Sequence, residues 1–190
     1  MYIPKDFSSL IGTPGFSDTL LNNHFTLYQG YVKNVNTLLE KLGAAEAGTP
    51  EYSELKRRFG WEWNGMRLHE LYFGNMNKTA SALAPESSLY KKMTASFGSG
   101  ENCEKDFRNV ATLRGIGWVV MYYDTVADRL FNIWVSDHAE NHLAGATPLL
   151  VMDMWEHAFM IDYGLKKADY IDAFIKAIDW NAVVERLTNV

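Results

Sequence analysis

The sequence predicts an α+β fold: a long N-terminal α-hairpin followed by a C-terminal domain with a three-stranded antiparallel sheet and flanking helices. Two long segments, 16–42 and 51–76, carry apolar residues at helical spacing, and a Gly-Thr-Pro turn at 48–50 joins them. Short runs of β-branched and aromatic residues follow later in the chain, as expected for strands. A chain of 190 residues is long enough to bury a core of its own.

The first helix is predicted from a set of inward-facing residues that recur at intervals of three and four: Leu21, His24, Tyr28, Tyr31, Val35, Leu38 and Leu42. This spacing places them on one face of a helix. Ser17 precedes the segment as an N-cap, and Gly43 closes it. The second helix follows after a short loop, so the two helices are expected to form a hairpin.

A polar stretch, 77–86, contains Pro85 and divides the chain into an N-terminal α-hairpin domain, 1–86, and a C-terminal α/β domain, 87–190. Helices are predicted to resume near Ser87 and Glu101. The runs GWVVMYYD and RLFNIWVSD predict two antiparallel strands joined by residues 125–128, and ATPLLVMD predicts a third. Residues 168–187 return to an amphipathic helical pattern.

Composition and charge exclude several classes of protein. A formal charge of -5 without dense Lys/Arg clusters argues against nucleic acid as a partner. No apolar run approaches the roughly 20 residues that span a bilayer, and the first residues do not resemble a signal peptide. We therefore expect no membrane partner and a cytoplasmic location. Cys103 is the single cysteine, so histidine and carboxylate are left as the ligands of any bound metal.

The five histidines are candidates for metal binding, although each also has a structural interpretation. His24 and His69 lie on the apolar faces of the two N-terminal helices, and His157 follows Asp153 by four positions at the end of an apolar strand. Three imidazoles and one carboxylate among aromatic residues suit a first-row metal with room for a solvent ligand. From the residues alone, hydrogen-bonded core histidines and a helix-capping Asp153 remain the alternatives.

The segment Asp-Met-Trp-Glu-His-Ala at 153–158 resembles the signature of the iron/manganese superoxide dismutases. Residues 64–73 and the Gly-Ile-Gly-Trp at 115–118 are similar to two further motifs of that family. The resemblance implies one Fe or Mn ion per subunit, held between the two domains. It also implies the site residues: the metal ligands His24, His69, Asp153 and His157; the pocket residues Tyr72, Trp118 and Trp155; and Glu156, which reaches across a two-fold axis to a ligand histidine of the partner.

The position of His24 departs from the family's first-helix motif, in which eight residues lead from the ligand histidine to a tyrosine. Here seven lead from His24 to Tyr31, and alignment backwards from Tyr31 would place Asn23 at the ligand position. Seven steps leave two side chains about 20° apart on a regular helix, whereas eight leave them about 80° apart. We therefore expect a straight helix with His24 and Tyr31 on one face, and without the π-bulge that would absorb an extra residue.

Tyr31 and a loop histidine are expected, from the resemblance, to hydrogen-bond the solvent beside the metal. Family members place a Gln or His near this solvent, and that residue comes from the second helix or from the loop before the third strand. Gly65 occupies the helix position here. His138 matches the branch of the family with a loop histidine as gate, a surface-loop histidine being the alternative interpretation. His142 is expected to be a structural or interface residue.

Three further positions are assigned to the substrate funnel by the resemblance. Tyr28 stands where the family has a second-sphere histidine, and Met160 where it has an interface tyrosine; in other members these two groups hydrogen-bond across the dimer. Tyr28 is a catalytic candidate. Because both partners of that hydrogen bond are replaced here, the route of proton delivery and the contact across the dimer are not predicted. Lys167 matches the family's funnel arginine and keeps a positive charge for a small anion.

The resemblance implies a superoxide dismutase that disproportionates superoxide to dioxygen and hydrogen peroxide by redox cycling of its Fe or Mn. A homodimer or a dimer of dimers is expected. Two alternatives stand beside this interpretation: a metal-binding family member with altered, oxidase- or oxygenase-like activity, and a non-catalytic scaffold. The residues leave iron and manganese as alternatives, because both metals have similar ligand preferences.

Overall fold

Two long antiparallel helices form the N-terminal part of the protein in the computed structural model, which describes residues 1–80 and 82–190. Helix α1 spans Asp18–Ala44 and α2 spans Pro50–Phe73, and the two pack against each other. Both begin at a side-chain cap: Ser17 Oγ accepts the Leu20 N–H, and Thr49 Oγ1 accepts the Tyr52 N–H. Helix α1 is α-helical along its whole length, as the seven-residue spacing predicted.

The C-terminal part combines a small sheet with short helices. The strands are β1 (Gly117–Asp124), β2 (Arg129–Ser136) and β3 (Thr147–Asp153); the helices are α3 (Ser88–Phe97), α4 (Gly100–Ala111), α5 (Met160–Tyr163), α6 (Lys167–Ala177) and α7 (Trp180–Thr188). The strand order is β2-β1-β3, with both pairs antiparallel. The predicted α+β fold is confirmed.

Three predicted helix boundaries differ from the structure. Helix α1 runs through Gly43 to Ala44 and ends at the extended residue Ala45, so the prediction that Gly43 closes it is wrong. Helix α2 ends at Phe73 rather than near residue 76, because Met76 leaves the helix and forms an isolated bridge with Ile178. The helical stretch 168–187 is divided into α6 and α7 at the extended residue Ile178. Asp179 then starts α7, because its carboxylate accepts the N–H groups of the next turn. Sequence periodicity continues across the break and therefore does not reveal it.

Strand register sets the position of the pocket. In the central strand β1, Trp118 pairs with Asp153 of β3 on one side and with Val135 of β2 on the other. Helix α2 packs on β3, so a side chain on its inner face lies close to the end of that strand. In the described part of the chain, no helix combines the length and the apolar character needed to cross a membrane.

Candidate metal centre

Four side chains converge where the two long helices meet the end of the sheet. His24 comes from α1, His69 from α2, Asp153 from the last position of β3, and His157 from the 3-10 turn Glu156–Ala158 that follows. One ligand atom from each lies within 4.8 Å of the others. The four residues predicted as metal ligands are thus brought together, although they are up to 133 positions apart in the chain.

Asp153 is the centre of this group. Its Oδ2 lies 3.2 Å from His24 Nε2, 3.2 Å from His157 Nε2 and 3.6 Å from His69 Nε2. The side chains of His24, His69 and Asp153 are fully buried, while His157 keeps 28% of its side chain exposed. His24 therefore lies on the inner face of α1, and Asn23, the alternative ligand, lies on the exposed face.

The protonation states of these groups suit a cation. Burial lowers the pKa of His24 and lowers the pKa of His69 still further, so both imidazoles are neutral. Burial alone would raise the pKa of Asp153, but the coulombic interaction with His157 and the hydrogen bonds to His157 and His24 outweigh it and hold that pKa far below its usual range. A buried carboxylate faced by neutral imidazoles is stabilised by a positive ion.

The donor atoms also fit a metal ion. His69 Nδ1 lies 2.6 Å from the carbonyl oxygen of Gly65, so Nδ1 carries the proton and Nε2 offers its lone pair to the pocket. That Nε2 is buried and has no hydrogen-bond partner within the described chain. Asp153 Oδ1 accepts the Trp155 N–H at 2.8 Å, which leaves Oδ2 turned toward the three histidines. Three imidazoles and one carboxylate at these separations suit a first-row metal ion.

Two tyrosines support the carboxylate ligand from behind. Tyr170 donates its hydroxyl to the backbone oxygen of Asp153 at 2.6 Å, and Tyr72 Oη lies 3.2 Å from Tyr170 Oη. The ring of Tyr72 also lies beside His24, with 5.3 Å between centroids. Tyr72 was predicted as a pocket aromatic. Tyr170 was not singled out, because an apolar helix face that contains a tyrosine carries no sign of which hydroxyl will meet the end of a strand.

Trp118, His138 and Tyr31 form a hydrogen-bonded row at the side of the metal site. The indole Nε1–H of Trp118 donates to His138 Nδ1 at 3.0 Å, and His138 Nε2 lies 2.8 Å from the Tyr31 hydroxyl. Since an indole nitrogen can only donate, His138 Nδ1 is the acceptor and Nε2 carries the proton. Burial lowers the pKa of His138 to about 4, which agrees with this neutral tautomer.

Gly65 provides the space for this row. A Cβ at position 65 would lie 2.7 Å from two ring carbons of Tyr31 and 3.2 Å from His138 Cδ2. His138 itself is fully buried and stacks against Trp155, with 4.8 Å between ring centroids. The alternative interpretation of His138 as a surface-loop residue is therefore wrong.

The loop that carries His138 is held by Asn64, His142 and Tyr122, of which the sequence analysis assigned a role only to His142. Asn64 Nδ2 donates to the His138 backbone oxygen at 2.7 Å, and His142 Nε2 lies 3.0 Å from the same oxygen. Tyr122 Oη in turn lies 2.8 Å from His142 Nδ1. His142 therefore has the structural role that was expected of it. The only signal for Asn64 was its place in the α2 motif, one residue before Gly65.

The hydroxyl of Tyr28 bonds the N-terminal segment and α2 rather than a metal ligand. It accepts the Lys5 N–H at 3.0 Å and donates to Glu70 Oε1 at 3.0 Å. Glu70 Oε2 also accepts from Arg67, at 2.6 Å, and lies 3.4 Å from Lys5 Nζ. Burial raises the pKa of Tyr28 to about 12, so its hydroxyl keeps its proton.

The remaining predicted residues differ in their exposure and in their distance from the ligands. Glu156 and Met160 are exposed on the segment that follows Asp153. Lys167 donates its ammonium to the carbonyl oxygen of Leu113 at 2.9 Å and lies 5.6 Å from the Trp134 ring centroid. Trp155, in contrast, lies inside, stacked between His138 and His157.

Fold and site together define a mononuclear metalloprotein with a His/His/Asp/His ligand set between a helical hairpin and a small sheet. Residues 85–186 match the family model for the C-terminal domain of iron/manganese superoxide dismutases. The chain belongs to the iron/manganese superoxide dismutase family.

Relatives named as iron enzymes and a relative named as a manganese enzyme each resemble the chain over nearly its full length. The iron superoxide dismutase of Aquifex pyrophilus is 34% identical over 192 residues, covering 96% of this chain and 89% of that relative. The iron enzyme of Cupriavidus metallidurans is 37% identical over 178 residues, covering 90% and 88%. The manganese enzyme of Haloarcula marismortui is 33% identical over 188 residues, covering 96% and 90%.

Proposed function

We propose that the protein is a superoxide dismutase, which converts two superoxide anions and two protons to dioxygen and hydrogen peroxide. The observation that carries the proposal is the convergence of the His24, His69, Asp153 and His157 ligand atoms within 4.8 Å. The Fe or Mn ion they hold supplies the redox chemistry, since it alternates between two oxidation states. Superoxide is the substrate, as the names of the relatives indicate.

In this proposal Tyr31 and His138 control protons beside the metal. Because His138 Nε2–H is directed at the Tyr31 oxygen, the tyrosine accepts that bond and its own O–H is left to donate into the pocket. Burial, with the charge of Asp153 adding to it, raises the pKa of Tyr31, so the hydroxyl keeps its proton at neutral pH. Tyr31 is thus a proton donor aimed at the substrate, and His138 is the loop-histidine gate that orients it.

Trp118, Trp155 and Tyr72 are proposed to exclude water and fix the ligands. Trp118 and Tyr72 are completely buried, and the Trp118 ring lies 5.0 Å from that of His69, edge to face. Surrounding the ligands with aromatic rings lowers the local dielectric and strengthens the pull of the ligand set on a cation. Lys167 is proposed to contribute positive charge at the protein surface near the site.

The two-domain organisation, 1–86 and 87–190, is proposed with the metal between the domains. The support is the origin of the ligands: His24 and His69 belong to the first domain, and Asp153 and His157 belong to the second. Binding of the metal then joins the two parts of the chain. A cytoplasmic location is proposed on the composition of the chain alone.

A homodimer, or a dimer of such dimers, is also proposed. Glu156 is free to reach a partner, because it is exposed beside the ligand His157. Ile161 and Leu165, just beyond it, are 50% and 92% exposed, and exposed apolar side chains around a carboxylate suit a subunit interface. Light scattering is expected to give two or four times the 21.6 kDa mass of one chain.

A superoxide-removal assay on the metal-loaded protein, paired with metal analysis and with His157→Ala, tests the function. We expect an active wild type with one Fe or Mn per chain, and a variant that has lost both metal and activity. A metal-bound wild type without activity toward superoxide would overturn the proposal and favour an altered oxidase-like chemistry. A wild type that binds no metal would favour a scaffold. Elemental analysis of protein purified from its own host decides between iron and manganese.

A further inference from the structure

A shallow groove of about 210 Å³ leads from the protein surface to Tyr31. It is lined by residues of α1 and α2: Leu27, Gly30, Tyr31, Asn34, Arg58, Trp61 and Glu62. Trp61 joins the groove to the inner site, since its ring lies 5.8 Å from that of Tyr31 and 4.4 Å from that of His138. We call this groove the mouth of the metal pocket.

Arg58 holds a fixed position in the mouth. Its guanidinium carbon lies 4.0 Å from the Trp61 ring centroid, and its Nε donates to Glu62 Oε1 at 2.8 Å. Asn34 Nδ2 donates to the second oxygen of Glu62 at 3.2 Å, so the carboxylate is held from two helices. The side chain of Glu62 is only 4% exposed, whereas that of Arg58 is 44% exposed. The guanidinium of Arg58 is therefore the part of this ion pair that is exposed to solvent.

Arg58 lies against Trp61, whose ring contacts both Tyr31 and His138. Among the residues that line the mouth, Arg58 is the single cation. Lys167, assigned to the funnel by resemblance, instead contacts Leu113 and Trp134 and does not line this groove.

An anionic substrate needs such a local charge here, because the chain as a whole carries a formal charge of -5. A cation fixed at a cleft raises the local concentration of an anion and its rate of association, even on a negatively charged protein. We propose that Arg58 is the residue that steers superoxide into the mouth, with Glu62 and Trp61 positioning its guanidinium. This inference rests on the proposed dismutase function and adds to it the entry point of the substrate.

The test compares Arg58→Gln with Arg57→Gln in the metal-loaded protein. Arg57 is the neighbouring residue of α2, is 68% exposed and pairs with Glu54, so its replacement removes the same charge away from the mouth. For Arg58→Gln we expect kcat/KM for superoxide to fall about threefold to tenfold at low ionic strength and to depend less on salt, with kcat unchanged. Arg57→Gln is expected to behave like the wild type, and Arg58→Lys to restore most of the rate.

Two further experiments distinguish electrostatic steering from other effects of the Arg58→Gln substitution. Arg58→Gln/Glu62→Gln leaves the net charge of the wild type and no unpaired buried carboxylate, and it should still show the lower kcat/KM. Titration with azide, followed by visible absorption, should show weaker anion binding in both Arg58→Gln proteins, independently of turnover. An Arg58→Gln protein with wild-type kcat/KM and salt dependence, or an equal loss in Arg57→Gln, would overturn the steering role. An inactive metal-loaded wild type would instead overturn the dismutase function itself.

Discussion

The floor of the metal pocket, formed by the four ligands, differs from the mouth around Tyr31 in how its side chains are held. On the floor, His69 is fixed by the Gly65 carbonyl and Asp153 by the Trp155 N–H and the Tyr170 hydroxyl. In the mouth, Arg58 and Glu62 are fixed by each other, by the Trp61 ring and by the side-chain amide of Asn34. The floor is thus tied to the backbone of the fold, whereas the mouth depends on contacts between side chains.

This difference explains where the chain departs from the family pattern. The ligand set on the floor is complete, and replacing any of its members would leave a buried group without a partner. Tyr28 and Met160, the two positions that the resemblance assigns to the funnel, contact no ligand in this way: the Tyr28 hydroxyl bonds Glu70, and Met160 is exposed. Floor variants are therefore expected to have larger effects than variants nearer the surface.

The largest effect is expected for His24→Ala on the floor, compared with Asn23→Ala on the exposed face of the same helix turn. Losing one of three imidazoles should remove the metal and lower superoxide removal by at least about 100-fold, since even changes to the partners of ligands cost about 10- to 100-fold. Asn23→Ala should keep both metal and activity. Metal analysis with the activity assay checks this; metal loss in Asn23→Ala alone would mean that the helix register is wrong.

A large effect of His138 on stability is expected at low pH. His138 has a folded pKa of about 4, below its usual value, so between pH 6.5 and 4 the unfolded chain binds a proton that the folded chain does not. Stability of the metal-free protein should therefore fall as the pH falls through this window, with about 3 kcal/mol of the loss due to His138.

The matched variant for the range from pH 6.5 to 4 is His138→Gln, whose side-chain amide can form hydrogen bonds but does not titrate. Urea unfolding of the metal-free proteins at pH 7 and pH 4.5 should show a smaller loss in His138→Gln than in the wild type. Equal losses in the two proteins would mean that His138 is not a neutral group within the folded state.

A moderate effect is expected for Gly65→Ala, with Gly60→Ala as its control in the same helix. The new methyl group at position 65 would meet Tyr31 and His138, whereas a Cβ at position 60 has nothing within 4 Å. We expect Gly65→Ala to destabilise by about 1–3 kcal/mol and to lower activity. Gly60→Ala should be stabilising by about 0.5–1 kcal/mol. Thermal unfolding measures the stability and the superoxide assay measures the activity. Equal behaviour of the two variants would count against the close packing of Tyr31 and His138 on Gly65.

The smallest effect is expected for Tyr28→Phe. Its hydroxyl bonds Glu70 and Lys5 and no metal ligand, so its loss should cost about 1 kcal/mol of stability and leave kcat unchanged. Urea unfolding and steady-state kinetics measure the two effects. A clear fall in kcat with unchanged stability would instead give Tyr28 the part in proton delivery that the resemblance implied.

Much of the floor could be predicted from the sequence. His69, Asp153 and His157 lie in local motifs, where neighbouring residues fix the spacing. The resemblance also assigned His24, and the geometry of a regular helix, which α1 has, favoured His24 over Asn23. The fold class followed from periodicity, because helix and strand patterns depend on residues close together in the chain.

The sequence by itself determined the elements, the ligand types and the absence of any cysteine cluster. Only the tertiary structure decided that His138 donates to Tyr31, that Tyr28 turns to Glu70, and that Arg58 lies in the mouth. The reason is physical: the direction of a hydroxyl, an imidazole proton or a guanidinium is set by the partner that folding brings to it. Tyr31 and His138 are 107 positions apart, and no local pattern in a chain records such a pairing.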